Sequence, residues 1–418
     1  MIVRVLALWL LVAAGAGFLA TLQVQRCHHP AFDAAADARR VAAIPPPQLL
    51  SRPAQSLVDP ARQAQARCVG RYGRMRALLE LAAALLAPIT LLLLRWDLAL
   101  ARVLPHAPRI RRYALIGALL ALWLWAWGLP FDVAGVLAAR GLGLSRETLA
   151  TFLSNQAASL GLGLVAAAIV AQAIGVLRRR WWSLWFAAAL APVAVCMAVV
   201  VPLWIAPLFN AYHPFPQTPL RSAIEQQAAR AGLRRPQIFV ADLSAQREAA
   251  NAFVFGFWKT ERIVVGDTLL ARYGRDDVLF VLAHEMGHAV HGDVYRGVAW
   301  AWLFAAAGLV ATELLEPRRR RSLPPESRVP ALLAIAVALS LAVQPIGNAI
   351  SRGVEHRADA FALRLNGDRA AGVRTFVRFA DEDLAQPCPP RWAALIFATH
   401  PPIGARIAFM QGREDPCR

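Results

Sequence analysis

Charge is scarce in this chain: 17% of its 418 residues are Asp, Glu, Lys or Arg, against 57% hydrophobic. A soluble globular domain carries about a quarter charged residues, so an ordinary soluble protein is excluded. Lysine is almost missing. Lys259 is the single one, and arginine supplies the rest of a formal net charge of +18. An excess of that size invites a nucleic-acid reading, but no basic stretch carries the interleaved aromatics of a nucleic-acid groove. No internal repeat is visible either, which excludes a repeat array. The arginines gather in short segments between apolar runs: Arg109, Arg111 and Arg112; Arg178 to Arg180; Arg318 to Arg321.

Apolar sequence is what the chain has instead. Seven runs approach the ~20 residues that cross a bilayer: Val5–Val24, Ala77–Leu94, Tyr113–Leu129, Ala157–Leu177, Trp181–Phe209, Gly297–Leu315 and Val329–Ile346. The first follows a single Arg, as a signal peptide would, but it outruns the ~7–15 residues of a signal core and reads as an uncleaved span. The segments after the second, fourth and sixth runs hold five, three and five Arg, whereas the one after the third holds two. Arginine favours the cytoplasmic side, so the N-terminus is expected inside and the segment from 210 to 296 outside. Cys27 and Cys68, and Cys388 and Cys417, all fall on that outer side. An oxidising compartment would permit disulfides Cys27–Cys68 and Cys388–Cys417, with reduced, inert thiols as the alternative. Cys196, inside the fifth run, reads as a small buried apolar residue. The first loop, Gln25 to Arg74, is Ala-rich with Pro45, Pro46 and Pro47, and is expected to be partly ordered and not catalytic.

The long polar insert opens with Thr218-Pro219, a helix start, and reaches Gly232 as a stop. Gln237 to Ala241 reads as a strand, as do Ala252 to Trp258 and Ile263 to Gly266 around the polar turn Lys259 to Arg262. Then comes His284-Glu285-Met286-Gly287-His288, in a stretch whose Asp276 and Asp277 mark a helix start. Residues four apart on a helix share a face, so both imidazoles can grip one Zn2+ while Glu285 serves as general base. A catalytic zinc needs a third protein ligand and an open position. Glu355 and Asp359, four apart downstream, offer the carboxylate ligand and a hydrogen-bond acceptor behind a ligating His. Alone, that segment reads as a polar amphipathic helix; beside His284 and His288 it reads as the third ligand. His291 shares the face of His284 but reads as a peripheral hydrogen-bonding group, since a fourth ligand would close the site. His356 points elsewhere, and His28 and His29 have no supporting motif.

HEMGH followed by Asn348-x-x-Ser351-Arg352-x-x-Glu355-x-x-x-Asp359 resembles the integral-membrane zinc metalloproteases of the CAAX prenyl protease 1 family. The resemblance is close over the C-terminal half and includes Asn251-Ala252, Arg262 to Val265, Asp267 to Leu270, His400-Pro401-Pro402 and Arg406. It implies seven spans around an intramembrane chamber, one Zn2+ on His284, His288 and Glu355, and Glu285 as the base. It further implies that Asn251 and Ala252 bind the substrate backbone, with His400 and Arg406 near the scissile carbonyl. The 67 positions from His288 to Glu355 hold two membrane runs, which puts the metal at the bilayer boundary.

The expected fold is therefore mostly α, a polytopic membrane protein of about seven spans with a small α+β zincin-like insert. Its expected parts are 1–209 (spans one to five), 210–296 (catalytic insert), 297–347 (spans six and seven) and 348–418 (third-ligand helix and tail). The expected activity is zinc-dependent endopeptidase action on membrane-associated, lipidated or hydrophobic chains. Specific CAAX-type processing is one alternative, and a non-catalytic scaffold or transporter-like bundle with structural zinc is another. Partners are peptide or membrane-protein substrates and the bilayer, without nucleic acid. The arginine-rich, lysine-poor composition suggests a high-GC bacterium, hence an inner membrane with the catalytic side periplasmic. Eukaryotic members of the family face the cytosol, and prenylated substrates are not expected in such a host.

Overall fold

A computed structural model of the chain describes every residue except 29–31, 97–107, 174–179, 206, 207, 209, 234, 235, 245–248 and 256–261. His29, Arg102, Arg178, Arg179, the end of the expected strand from 256 to Trp258 and the turn from Lys259 to Glu261 lie outside the described residues. Helix α1 (Ile2–Cys27) is followed by three short helices, α2 (Ala34–Ala42), α3 (Pro46–Ser51) and α4 (Ala54–Leu57). Long helices follow: α5 (Pro60–Leu93), α6 (Arg109–Gly141), α7 (Leu149–Ala173) and α8 (Trp182–Val200). The insert runs β1 (Tyr212–Pro214), α9 (Pro219–Arg230), β2 (Gln237–Ala241), β3 (Ala252–Phe255), β4 (Arg262–Gly266), α10 (Asp267–Arg272) and α11 (Arg275–Val290). Then come α12 (Asp293–Leu315), α13 (Arg318–Arg321), α14 (Pro325–Asn366), α15 (Arg369–Glu382), α16 (Arg391–Phe397) and α17 (Ile403–Gln411).

Among the described residues, 6 helices are long and apolar enough to cross a membrane: α1, α5, α6, α7, α12 and α14. The expected fifth span is α8, whose apolar part, Trp182–Ala198, is shorter than the other six. Lipid tails are as apolar as leucine, so burial alone does not hold such helices together; close packing of small residues does. Here Ala16 and Ala20 of α1, Ala83 and Ala87 of α5, and Ala134 and Ala138 of α6 are all buried against one another, each pair four residues apart. Leucines such as Leu10, Leu11 and Leu153 stay on the outside of the bundle. Cys196 is exposed there too, contrary to the buried place expected of it. A uniformly apolar span does not reveal which face meets lipid. Helix α14 is continuous for 42 residues through Pro330 and Pro345, so the last span and the segment with Glu355 form one rod.

The four strands order as β1-β2-β4-β3, with β2 and β4 parallel and the outer pairs antiparallel. Thr218 caps α9 by accepting from the Arg221 backbone N–H. Helix α11 packs under the sheet, with apolar side chains toward two cores and His284, Glu285 and His288 left on a polar side. Val278, Val281, Leu282 and Met286 meet Ile263, Val265 and Ile224. Phe280 and Ala283 face a second core of Phe376, Val377, Ile407 and Met410.

That second core also holds Val41, Leu49, Leu57 and Val58, so the first loop is more ordered than expected. Its short helices are pinned by polar contacts as well as burial. Arg40 Nη2 bridges Asp37 and the fully buried Asp381 at 2.7 and 2.6 Å, and the Asp59 backbone N–H donates to Asp381 at 2.9 Å. Both cysteine pairs are disulfides, Cys27–Cys68 and Cys388–Cys417. Closing the 41-residue separation of the first restricts the unfolded chain by about 4 kcal/mol on a chain-entropy estimate. Removing it as Cys27→Ser with Cys68→Ser is expected to lower unfolding stability in detergent by roughly 2–4 kcal/mol, read by chemical denaturation.

Candidate metal centre and active site

Helix α11 presents His284, Glu285 and His288 to α14, which brings Glu355 and Asp359. The two helices approach closely at Gly287. A Cβ there would lie 3.1 Å from Phe361 Cβ and 3.3 Å from Ala358 Cα, so any side chain must push α14 away. Gly287→Val is expected to destabilise the fold by about 1–3 kcal/mol and to weaken metal binding, measured by thermal unfolding and a zinc titration.

Across that contact, His284 Nε2 and His288 Nε2 lie 3.2 Å apart. Glu355 Oε2 is 3.3 Å from His284 Nε2, and Oε1 is 3.5 Å from His288 Nε2. The far nitrogens are engaged: His284 Nδ1 is 2.9 Å from Asp359 Oδ1, and His288 Nδ1 is 3.0 Å from Asp293 Oδ2. A carboxylate can only accept, so each Nδ1 carries a proton and donates it. The Nε2 lone pairs are thereby turned toward each other and toward Glu355, whose buried Oε2 has no hydrogen-bond partner. Three electron-rich atoms converging at this range repel one another unless a cation sits among them. The separations match the ~3.4 Å edges of a tetrahedral zinc with bonds of about 2.1 Å. Among the described residues, His284, His288 and Glu355 form the one group of this kind that could hold a metal ion.

The surroundings favour positive charge at this point. Burial by itself would lower the His284 imidazole, but the neighbouring carboxylates of Asp359 and Glu355 outweigh it and raise it to about 9. His288 is lowered, by burial first and by its neighbour His284 second. Burial pushes the Glu285 carboxyl up to about 7, with His284 opposing and Glu355 adding to the shift. A carboxyl of that basicity is suited to accept and return a proton near neutral pH.

The remaining expected residues lie close by. Half-buried Arg406 grips Asp359 through Nε (2.9 Å) and Nη2 (2.6 Å), stacks over Phe376, and sits 3.9 Å from Glu355. His400 is exposed, with Nε2 at 3.4 Å from Glu355 Oε1. Asn251 and Ala252 line a cavity of about 120 Å³ with His284, Glu285, His400 and Phe376. Asn251 immediately precedes β3, the outer strand beside α11, and its carbonyl accepts from Gly266 N at 2.9 Å. His291 Nδ1 donates to the Gly287 carbonyl (2.7 Å) and stays outside the trio; His356 is exposed against Phe409.

Asp293 was not foreseen. It starts α12 just after Gly292, whose φ of +63° breaks the line of α11, and Arg357 holds its other oxygen at 3.1 Å. The signal available was His288 itself: a ligating imidazole needs an acceptor for its far nitrogen, and Asp293 is the acidic residue that next follows it in the chain.

Residues 214–414 match the model of peptidase family M48, and residues 45–211 match that of the CAAX prenyl protease N-terminal region, five membrane helices. Site and bundle together define the class, a multi-pass membrane metalloprotease. The uncharacterized metalloprotease YhfN of Bacillus subtilis (strain 168) is 30% identical over 300 residues, 69% of this chain and 70% of that protein. A CAAX prenyl protease 1 homolog of Oryza sativa subsp. japonica is 28% identical over 312 residues, 70% of this chain and 72% of its own. The chain belongs to peptidase family M48, in its CAAX prenyl protease 1 type. The crystal structure of S. mikatae Ste24p shares the fold, with a TM-score of 0.73 over 96% of this chain and 98% of that one at 18% identity.

Proposed function

We propose that the chain is a zinc-dependent endopeptidase cleaving membrane-associated, lipidated or hydrophobic chains at the outer face of a bacterial inner membrane. The observation that carries this reading is the convergence of His284 Nε2, His288 Nε2 and the Glu355 carboxylate beside Glu285. His284, His288 and Glu355 would hold the ion. A zinc bound there supplies a Lewis acid that polarises a carbonyl and acidifies water. Glu285 takes the proton of the attacking water and returns it to the leaving amine. His400, at the cavity mouth, donates to the carbonyl oxygen as negative charge develops. Asn251 and Ala252 align the substrate as an added strand at the outer edge of β3. Asp359 and Asp293 fix the two imidazoles, and Arg406 fixes Asp359.

The outer-face assignment rests on the arginine bias between spans and on two disulfides lying on the catalytic side, which call for an oxidising compartment. Broad cleavage of membrane-bound chains is the first reading. Processing of prenylated CAAX chains is the second, favoured by the likeness to the rice relative. A panel of one peptide sequence, free, membrane-tethered, and carrying a prenyl cysteine, separates them. The first reading expects comparable turnover of the tethered and prenylated forms. Turnover confined to the prenylated form selects the second, and zinc without turnover of any form rejects both.

A further inference from the structure

A largely apolar cavity close to the candidate site holds none of its metal-binding side chains. It measures about 520 Å³ and lies between the ends of α1, α5 and α6 and the segment from Leu384 to Ala398. Small residues make much of its wall, among them Gly73 and Gly135, where an added Cβ would meet nothing within 4 Å. Both disulfides flank it: Cys27–Cys68 joins α1 to α5, and Cys388–Cys417 ties down the C-terminal wall. The space is therefore braced rather than left over from loose packing.

Two arginines reach into it from α5, and their contacts are poor. Arg74 Nη1 donates to Gln386 Oε1 at 3.4 Å; Arg76 Nη1 donates to Gln23 Oε1 at 3.3 Å and to the Ala134 carbonyl at 3.4 Å. All three bonds are long and end on neutral acceptors, whereas a guanidinium with an anion makes bonds of about 2.7–2.9 Å and has five N–H groups to offer. Glu80 is the acidic group within electrostatic reach of Arg76, and exposed Arg71 adds a further positive charge beside Arg74. Asp132 lies within electrostatic reach of Glu80 in turn, so three arginines stand against two carboxylates around this end of the cavity.

The height of the cavity completes the argument. Arg74 and Arg76 immediately precede the apolar run Ala77–Leu94, and Gln23 stands at the end of Val5–Val24. The α6 wall, Gly135 to Leu142, ends the third span. By sequence, all three lie at or just past the ends of the apolar runs Val5–Val24, Ala77–Leu94 and Tyr113–Leu129, on the side of the candidate metal centre, where headgroups are expected. We propose that this cavity binds an anionic phospholipid, with its phosphate between Arg74 and Arg76 and its glycerol and first acyl carbons along the alanine and glycine wall. Basic pockets between spans bind anionic headgroups by this combination of charge and apolar surface. A zwitterionic lipid would bring an ammonium into a site that is already cationic.

Native mass spectrometry of the full chain in detergent tests this, with short-chain phosphatidylglycerol, phosphatidylcholine and inorganic phosphate as probes. One phosphatidylglycerol per chain is expected, bound about tenfold or more tightly than phosphatidylcholine. Arg74→Gln with Arg76→Gln should lose that preference, and Arg74→Lys with Arg76→Lys should keep most of it. Gly135→Leu retains both arginines but fills the cavity, and should abolish retention. Cleavage of a soluble peptide at the wild-type rate shows that each variant is folded; if the glutamine pair fails this check, Gly135→Leu and the lysine pair decide. Equal retention of the two lipids, retention untouched by Gly135→Leu, or inorganic phosphate competing as well as the lipid would each overturn the proposal.

Discussion

Glu285→Gln is expected to lower kcat/KM for a cleavable peptide by about a thousandfold while zinc content stays at the wild-type level. Glutamine keeps the size and reach of the side chain but cannot take up a proton. Glu285 lines the cavity beside the trio and is not one of its three members, so the ion keeps all its donors. The effect should therefore fall on turnover, with substrate binding little changed. If glutamine instead removes zinc and activity in parallel, Glu285 is a ligand and the division of roles fails.

Glu355→Ala should do the opposite: zinc affinity falls by more than about a hundredfold, and activity is lost with it. The magnitude follows from position. Replacing a partner behind a ligand typically weakens binding by about 10–100-fold, and loss of a ligand exceeds that. Asp293→Ala supplies the lower value, because its loss frees the His288 ring to rotate and to shift its proton to Nε2. A ranking in which Asp293→Ala equals or exceeds Glu355→Ala would place the ion elsewhere. Equilibrium dialysis against a zinc buffer measures all three variants on one scale.

The parts legible in the sequence were those governed by short periods. His284 and His288 four apart, Glu355 and Asp359 four apart, and β2 at Gln237–Ala241 all follow from 3.6- and 2-residue repeats. Two kinds of feature were hidden. Asp293 meets His288 only because Gly292 turns the chain between α11 and α12, and a turn of that kind is not part of either helix's period. The order of the first loop was hidden for a different reason. Helices α2 to α4 are short, alanine- and proline-rich, and weakly hydrophobic; they are held by a partner more than 300 residues away, Asp381, and by the core around Phe376. Their own sequence carries little of the stabilising free energy. The continuity of α14 through Pro345 was likewise masked. Proline signals a break in water, yet neighbouring helices can satisfy the freed carbonyl within a membrane protein.

The central claim is that one zinc, held by His284, His288 and Glu355, is required for peptide cleavage. Its most direct test is metal analysis and peptide turnover on the same purified preparations of the wild-type chain and of His284→Ala with His288→Ala. The account predicts one zinc per wild-type chain, activity removed by a chelator and restored by zinc, and neither zinc nor activity in the double variant. Cleavage that survives complete removal of the metal, or one zinc still bound by the double variant, would contradict it.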